Sequence, residues 1–116
     1  MNYEDTILQN KINQGIKLIE VEKYPDAIKI FEELKKNKKT KLIGLMFLGI
    51  IHIKKKEPLK AKSNFYKIIE IDKKHQDANL NLGLIFFKEK NYERSEFYLD
   101  RVINLSKNNL TAIYHK

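Results

Sequence analysis

The sequence predicts an all-α fold, an α-solenoid of three stacked helix–turn–helix units followed by a short helical segment. Three observations predict it. Gly15, Gly49 and Gly83 recur every 34 residues, and they are three of the chain's four glycines. A second set keeps the same register: Ala27, Ala61 and Ser95, then Phe31, Phe65 and Leu99. Apolar residues follow helical spacing throughout, with short breaks between runs. A glycine inside a helix costs about 1 kcal/mol against alanine. Three at one spacing therefore imply a shared packing reason, the close approach of another helix.

The elements follow in order. Asp5 or Thr6 can cap a first helix running from Ile7 to about Glu22, with Ile12, Ile16 and Ile19 at helical spacing. Tyr24-Pro25-Asp26 is a turn, because proline suits the first turn of a following helix. The second helix spans about Pro25 to Lys36, with Ala27, Ile28, Phe31 and Leu34 inward, and Asn37 can end it. A third covers about Thr40 to Lys54. Glu57-Pro58 repeats the earlier turn chemistry and opens a fourth, to Ile71, with Ala61, Phe65, Ile68 and Ile69 inward. The fifth runs from about Asp77 to Lys88. Asn91-Tyr92 is the third turn, and the sixth helix covers Tyr92 to Leu105. Connections this short require antiparallel helix pairs.

A period of 34 with helix–turn–helix content resembles the tetratricopeptide repeat. The match covers Leu8 to Lys41, Leu42 to His75 and Gln76 to Asn109 without insertion. The third copy matches best, through Leu82-Gly83, Phe86, Tyr92, Ser95 and Leu99. Lys11, Leu45 and Asn79 replace the pattern's early tryptophan, and Lys39, Lys73 and Lys107 its late proline. Leu-Gly becomes Gln14-Gly15 in the first copy. The resemblance implies a right-handed array in one domain, 1–116, with repeats at 8–41, 42–75 and 76–109 and a partial capping segment at 110–116.

A chain of 116 residues fits one domain. An array of this kind needs about three repeats for stability. There is no cysteine, hence no disulfide framework and no thiolate metal site. Met1 to Gln9 is polar with two acids, unlike a secretory signal. The most apolar run, Leu42 to Ile53, falls short of the roughly 20 residues a membrane span needs. The expectation is a cytoplasmic protein without a membrane span.

The net charge is 23 − 15 = +8, nearly all of it lysine; only Arg94 and Arg101 are arginine. The clusters Lys35–Lys41, Lys54–Lys56 and Lys73-Lys74 lie at helix carboxyl ends and loops, where they complement the helix dipole. Nucleic-acid binding draws on arginines and exposed stacking aromatics, so this pattern disfavours it.

Nothing predicts an enzyme, a metal site or a cofactor. His52, His75 and His115 form no pair at zinc-binding spacing. His52 occupies a position where the family usually has an aromatic, and reads as a packed, hydrogen-bonded side chain. Glu32-Glu33 and the Glu20/Glu22 pair point to different sides of their helices and read as solvated surface. No phosphate-binding glycine loop or nucleophile arrangement occurs.

Beside the stripe that faces its partner, the first helix of each repeat carries a second one. It runs through Gln9, Ile12, Ile16 and Ile19; then Ile43, Met46, Ile50 and Ile53; then Asp77, Leu80, Leu84 and Phe87. Ten of these twelve are apolar, and a helix apolar on nearly all sides is buried or has a partner. The resemblance implies that this stripe lines a peptide-binding groove. The family's carboxylate-clamp positions hold Ile12, Ile16, Phe47, Asp77 and Asn81 here, without a cation, so that specificity is not implied. The expected function is a non-enzymatic adaptor that binds an apolar or amphipathic protein segment. The alternatives are a self-assembling scaffold using the same surfaces, and an electrostatic binder of nucleic acid or an acidic partner through the lysine loops.

Self-association is also expected at the carboxyl end. Tyr98, Val102 and Leu105 would lie on a face that only Leu110, Ile113 and Tyr114 remain to cover. Gly49 is expected to mark a close helix contact, while Gly44, off the period, is expected to tolerate alanine.

Overall fold

The computed structural model describes residues 2–105, without the side chain of Leu105. They form six helices: α1 (Tyr3–Glu20), α2 (Tyr24–Lys36), α3 (Lys41–Lys54), α4 (Pro58–Ile71), α5 (Gln76–Lys88) and α6 (Tyr92–Leu105). Among the described residues there is no strand. The fold is an all-α helical repeat. The chain divides into two compact units, Met1–Glu57 and Pro58–Lys116. The division falls between the two helices of the second sequence repeat. The first unit thus holds the within-repeat pair α1–α2 and the between-repeat pair α2–α3. The second holds α4–α5 and α5–α6, so each unit samples both kinds of packing.

Helix α1 begins four residues earlier than the sequence suggests. Asn2 is the cap: its side-chain oxygen accepts the Asp5 N–H at 2.8 Å. The added turn places Glu4 and Asp5 at the positive end of the helix dipole. Thr6 does not cap; its hydroxyl donates to the Asn2 carbonyl.

Three residues join the helices within each repeat, and all three links close identically. Glu22, Lys56 and Lys90 sit 34 residues apart, and each has left-handed backbone, with φ of 60°, 61° and 64°. The residue after each donates its N–H five positions back in the Schellman pattern: Lys23 to Leu18, Glu57 to His52 and Asn91 to Phe86, at 2.8–2.9 Å. The left-handed residues themselves donate to Ile19, Ile53 and Phe87. Glycine, the usual resident of such a position, is absent from all three.

In the first unit α2 is the middle helix, and Phe31 is its centre. Phe31 is fully buried with Ile12, Ile19, Ala27, Leu34, Leu48 and Ile51. A Cβ on Gly15 would stand 2.6 Å from the Phe31 ring. Phe47 of α3 stacks on that ring at 4.8 Å. Burying one such aromatic contributes on the order of 1.5–3 kcal/mol.

Gly44 overturns its expectation. A Cβ there would lie 2.7 Å from the backbone nitrogen of Lys35 and 2.8 Å from the Phe31 carbonyl oxygen. Gly44 is the point where α3 touches the backbone of α2. Its equivalent one period later, Ala78, is fully buried, whereas Asn10, one period earlier, is exposed. Gly44 therefore serves the between-repeat contact, which the Gly15–Gly49–Gly83 series did not report. Gly49 itself is buried in α3.

In the second unit Leu82 is fully buried, and Leu99 and Val102 of α6 form a cluster with Leu80 and Ile103 packed against it. A Cβ on Gly83 would meet the Leu99 side chain at 2.6 Å. The Ser95 hydroxyl donates to the Gly83 carbonyl at 2.8 Å, which satisfies a polar group that is otherwise buried. Asn79, fully buried where the family pattern has tryptophan, donates to the carbonyls of Lys73 and His75 and accepts from Arg101.

Two stability predictions follow from these contacts. Gly44→Ala should lower stability by about 1–3 kcal/mol, because backbone atoms cannot rotate away from an added methyl; an unchanged urea midpoint would refute the contact. Lys90→Gly should raise stability by up to about 1 kcal/mol by relieving left-handed strain, net of the extra glycine entropy. A lower urea midpoint for Lys90→Gly would contradict that reading.

Candidate functional site

The stripe residues fall into two groups. In the first unit, Ile12 and Ile19 belong to the core around Phe31, and Ile16 is half-buried against it. Their spacing on α1 turns them toward α2, so packing consumes them. On α3, Met46 is buried, Ile50 is half-buried, and Ile43 and Ile53 are exposed at 36% and 37%. Ile43, Ile50 and Ile53 recur at helical spacing and form the accessible apolar face of α3. In the second unit, Leu80 packs against the Leu99–Val102 cluster and Leu84 is half-buried. Phe87 is exposed at 37%, with its ring edge-on to Tyr92 at 5.5 Å.

The expected end face does not lie open as the sequence suggested. Val102 is fully buried, because it projects with Leu99 into the core of its unit. Tyr98 is half-buried and stacked on Phe86 at 5.8 Å. The side chain of Leu105, and Leu110, Ile113 and Tyr114, lie outside the described residues.

A further surface went unnoticed in the sequence. In the second unit, Leu59, Lys62, Ser63, Tyr66, Lys67 and Glu70 share one face of α4 and line a cleft of about 460 Å³ with Phe86 of α5 and Arg94 of α6. The Lys62 ammonium stands 4.8 Å from the centre of the Phe86 ring and the Arg94 guanidinium 5.7 Å. Lys62 is also paired with Glu89 at 3.0 Å. Arg101 stacks on Phe97 at 4.5 Å and lies 5.7 Å from Tyr98. Burial pushes the Tyr98 phenol above its ordinary pKa, and Tyr66 beside it adds to the effect. The α4 face mixes charges with apolar groups, so no apolar stripe announced it.

Several lysines have internal partners. Lys35 pairs with Glu32, Lys11 with Glu33, and Lys55 with Glu57. Lys39 reaches Asp5 and Glu4 at the start of α1; its hydrogen bond to Asp5 and both negative charges raise its pKa. His52 Nδ1 lies 3.0 Å from the Glu57 carboxylate, and His75 Nδ1 accepts the Ala78 N–H at the start of α5. Among the described residues no three His, Asp or Glu side chains gather into a metal-binding group. No described helix is long and apolar enough to cross a membrane.

The model of the tetratricopeptide repeat family matches residues 76–109. A curated relative, the uncharacterized protein ycf37 of Porphyra purpurea, is 35% identical over 69 residues. The match covers 60% of this chain and 40% of that protein, so the chain spans well under half of its relative. The C-terminal TPR-containing domain of the Plasmodium falciparum protein PFL2275c, described as FK506-binding, superposes with a TM-score of 0.76. That likeness covers 93% of this chain and 82% of the other at 20% identity, and it speaks for the fold alone. The 34-residue period, the glycine contacts and the three matching links agree with these likenesses: residues 76–109 match a tetratricopeptide repeat, and the rest of the described chain repeats its helical pattern.

Proposed function

We propose that this chain is a non-enzymatic adaptor that binds an apolar or amphipathic segment of a partner protein through apolar side chains on first helices of its repeats. Tetratricopeptide repeats are protein-interaction modules in general, and no bound segment is needed to see why this one is suited to the task. The observation that carries the reading is the composition of α3. It buries Leu45, Leu48 and Ile51 and still presents Ile43, Ile50 and Ile53 to solvent or partially so. A helix with apolar side chains beyond those its core uses has surface suited to a partner. On α5, Leu84 and Phe87 offer the same chemistry. An amphipathic helix laid on such a face would anchor through side chains at helical spacing. A cytoplasmic setting accords with this reading.

A second copy of the chain is the competing occupant of the same side chains. The test separates the two. Ile53→Glu with Leu84→Glu adds carboxylates at an exposed and a half-buried position, so the helical signal and most of the stability should survive. Partner capture by the intact chain should then fall at least about tenfold, as expected when a desolvated anchor becomes a charge. A double variant that melts normally and still captures the same partners would refute the groove. Wild-type sedimentation that shifts with concentration, and stops shifting in the double variant, would assign the surface to self-association.

A further inference from the structure

We propose a second docking site on the second unit, the cleft between α4 and α6, whose occupant is an acidic peptide segment with an aromatic or aliphatic side chain among its acids. The site uses none of the side chains proposed above for the apolar segment: it is built from α4, from Phe86 and from Arg94.

Charge complementarity commits the cleft to this occupant. Its lining carries three cations, Lys62, Lys67 and Arg94, against one carboxylate, Glu70. Glu89 neutralises Lys62 from outside the cleft. Arg94 has no carboxylate partner among the described residues; its guanidinium is steadied only by the Phe86 ring. An arginine near a ring face, without a carboxylate partner, keeps its fork of donors available for a bidentate carboxylate contact. Composition sharpens the point. The chain meets almost every need for positive charge with lysine, yet both its arginines lie on α6 against aromatic rings. Arg101 is already engaged with Asn79, whereas Arg94 opens onto the cleft.

The apolar part of the occupant has a place as well. Leu59, 77% exposed, and Tyr66 flank the floor made by Phe86. A leucine this open beside a recessed ring gives a neighbouring apolar side chain area to bury. The hydroxyls of Ser63 and Tyr66 can donate to a second carboxylate or to a peptide carbonyl. A nucleic-acid backbone, charged at every nucleotide, matches less well a lining in which Glu70 offsets part of the positive charge.

The test titrates the full chain, labelled with nitrogen-15, with the blocked peptide Glu-Glu-Phe-Leu-Glu-Glu, its lysine-for-glutamate counterpart and a six-nucleotide single-stranded DNA. The acidic peptide should give saturable amide shifts concentrated at residues 59–70, 86 and 94, and the lysine peptide none. Arg94→Gln should weaken the acidic peptide about tenfold, the loss of one charge-assisted bidentate contact. Arg94→Lys should recover only part of that loss, because the charge returns without the fork. Ile53→Glu with Leu84→Glu should leave this affinity unchanged, which keeps the outcome separate from that for the groove. Equal affinity in wild type and Arg94→Gln would overturn the proposal. So would shifts spread over the lysine loops, or DNA bound more tightly than the peptide. Arg94 is exposed, so its variants should fold, and an unchanged melt checks that each result concerns binding.

Discussion

Everything in the first unit hangs on the closeness of helices around Phe31. Its ring covers Gly15 of α1, its carbonyl meets Gly44 of α3, and Phe47 stacks on its face. One residue, by its ring and its carbonyl, therefore fixes the distance of α2 from two neighbours at once. The absence of a Cβ at two glycines makes that distance attainable, since helices with larger side chains at the contact stand further apart. In the second unit Leu99 plays the matching part over Gly83, with the Ser95 hydroxyl tying α6 to the same carbonyl.

The period and the helix order were legible in the sequence because packing repeats itself. Gly15 and Gly83 both face a large side chain of the following helix, and five of the six helices begin and end within one residue of where turn chemistry puts them, α4 and α6 at the same residues. What stayed hidden has physical reasons. Left-handed residues at 22, 56 and 90 carry glutamate and lysine, side chains without any preference for that backbone. Gly44 looked dispensable because its partner is main chain, which leaves no trace in residue identity. Ile12 and Ile19 read as open stripe because spacing alone cannot say which neighbour a helix face meets. The cleft was missed because a face of alternating lysine, serine, tyrosine and glutamate looks like ordinary solvated surface.

The two surfaces differ in kind. The α3 and α5 side chains offer area and little direction, so affinity there would come from removing apolar groups from water. The α4–α6 cleft offers direction: a steadied guanidinium, hydroxyls and a ring at fixed distances.

The three links also bear on how such a chain can change in length. Loops usually absorb inserted residues with little harm. Here each within-repeat link is three residues long and closed by two backbone hydrogen bonds around one left-handed residue. One more residue would break that closure or turn the next helix by about 100°. Its buried side chains, Phe31 or Leu99 among them, would then face water. Growth and loss in this architecture are thereby quantised: whole repeats can be gained or dropped, but single residues at the links cannot.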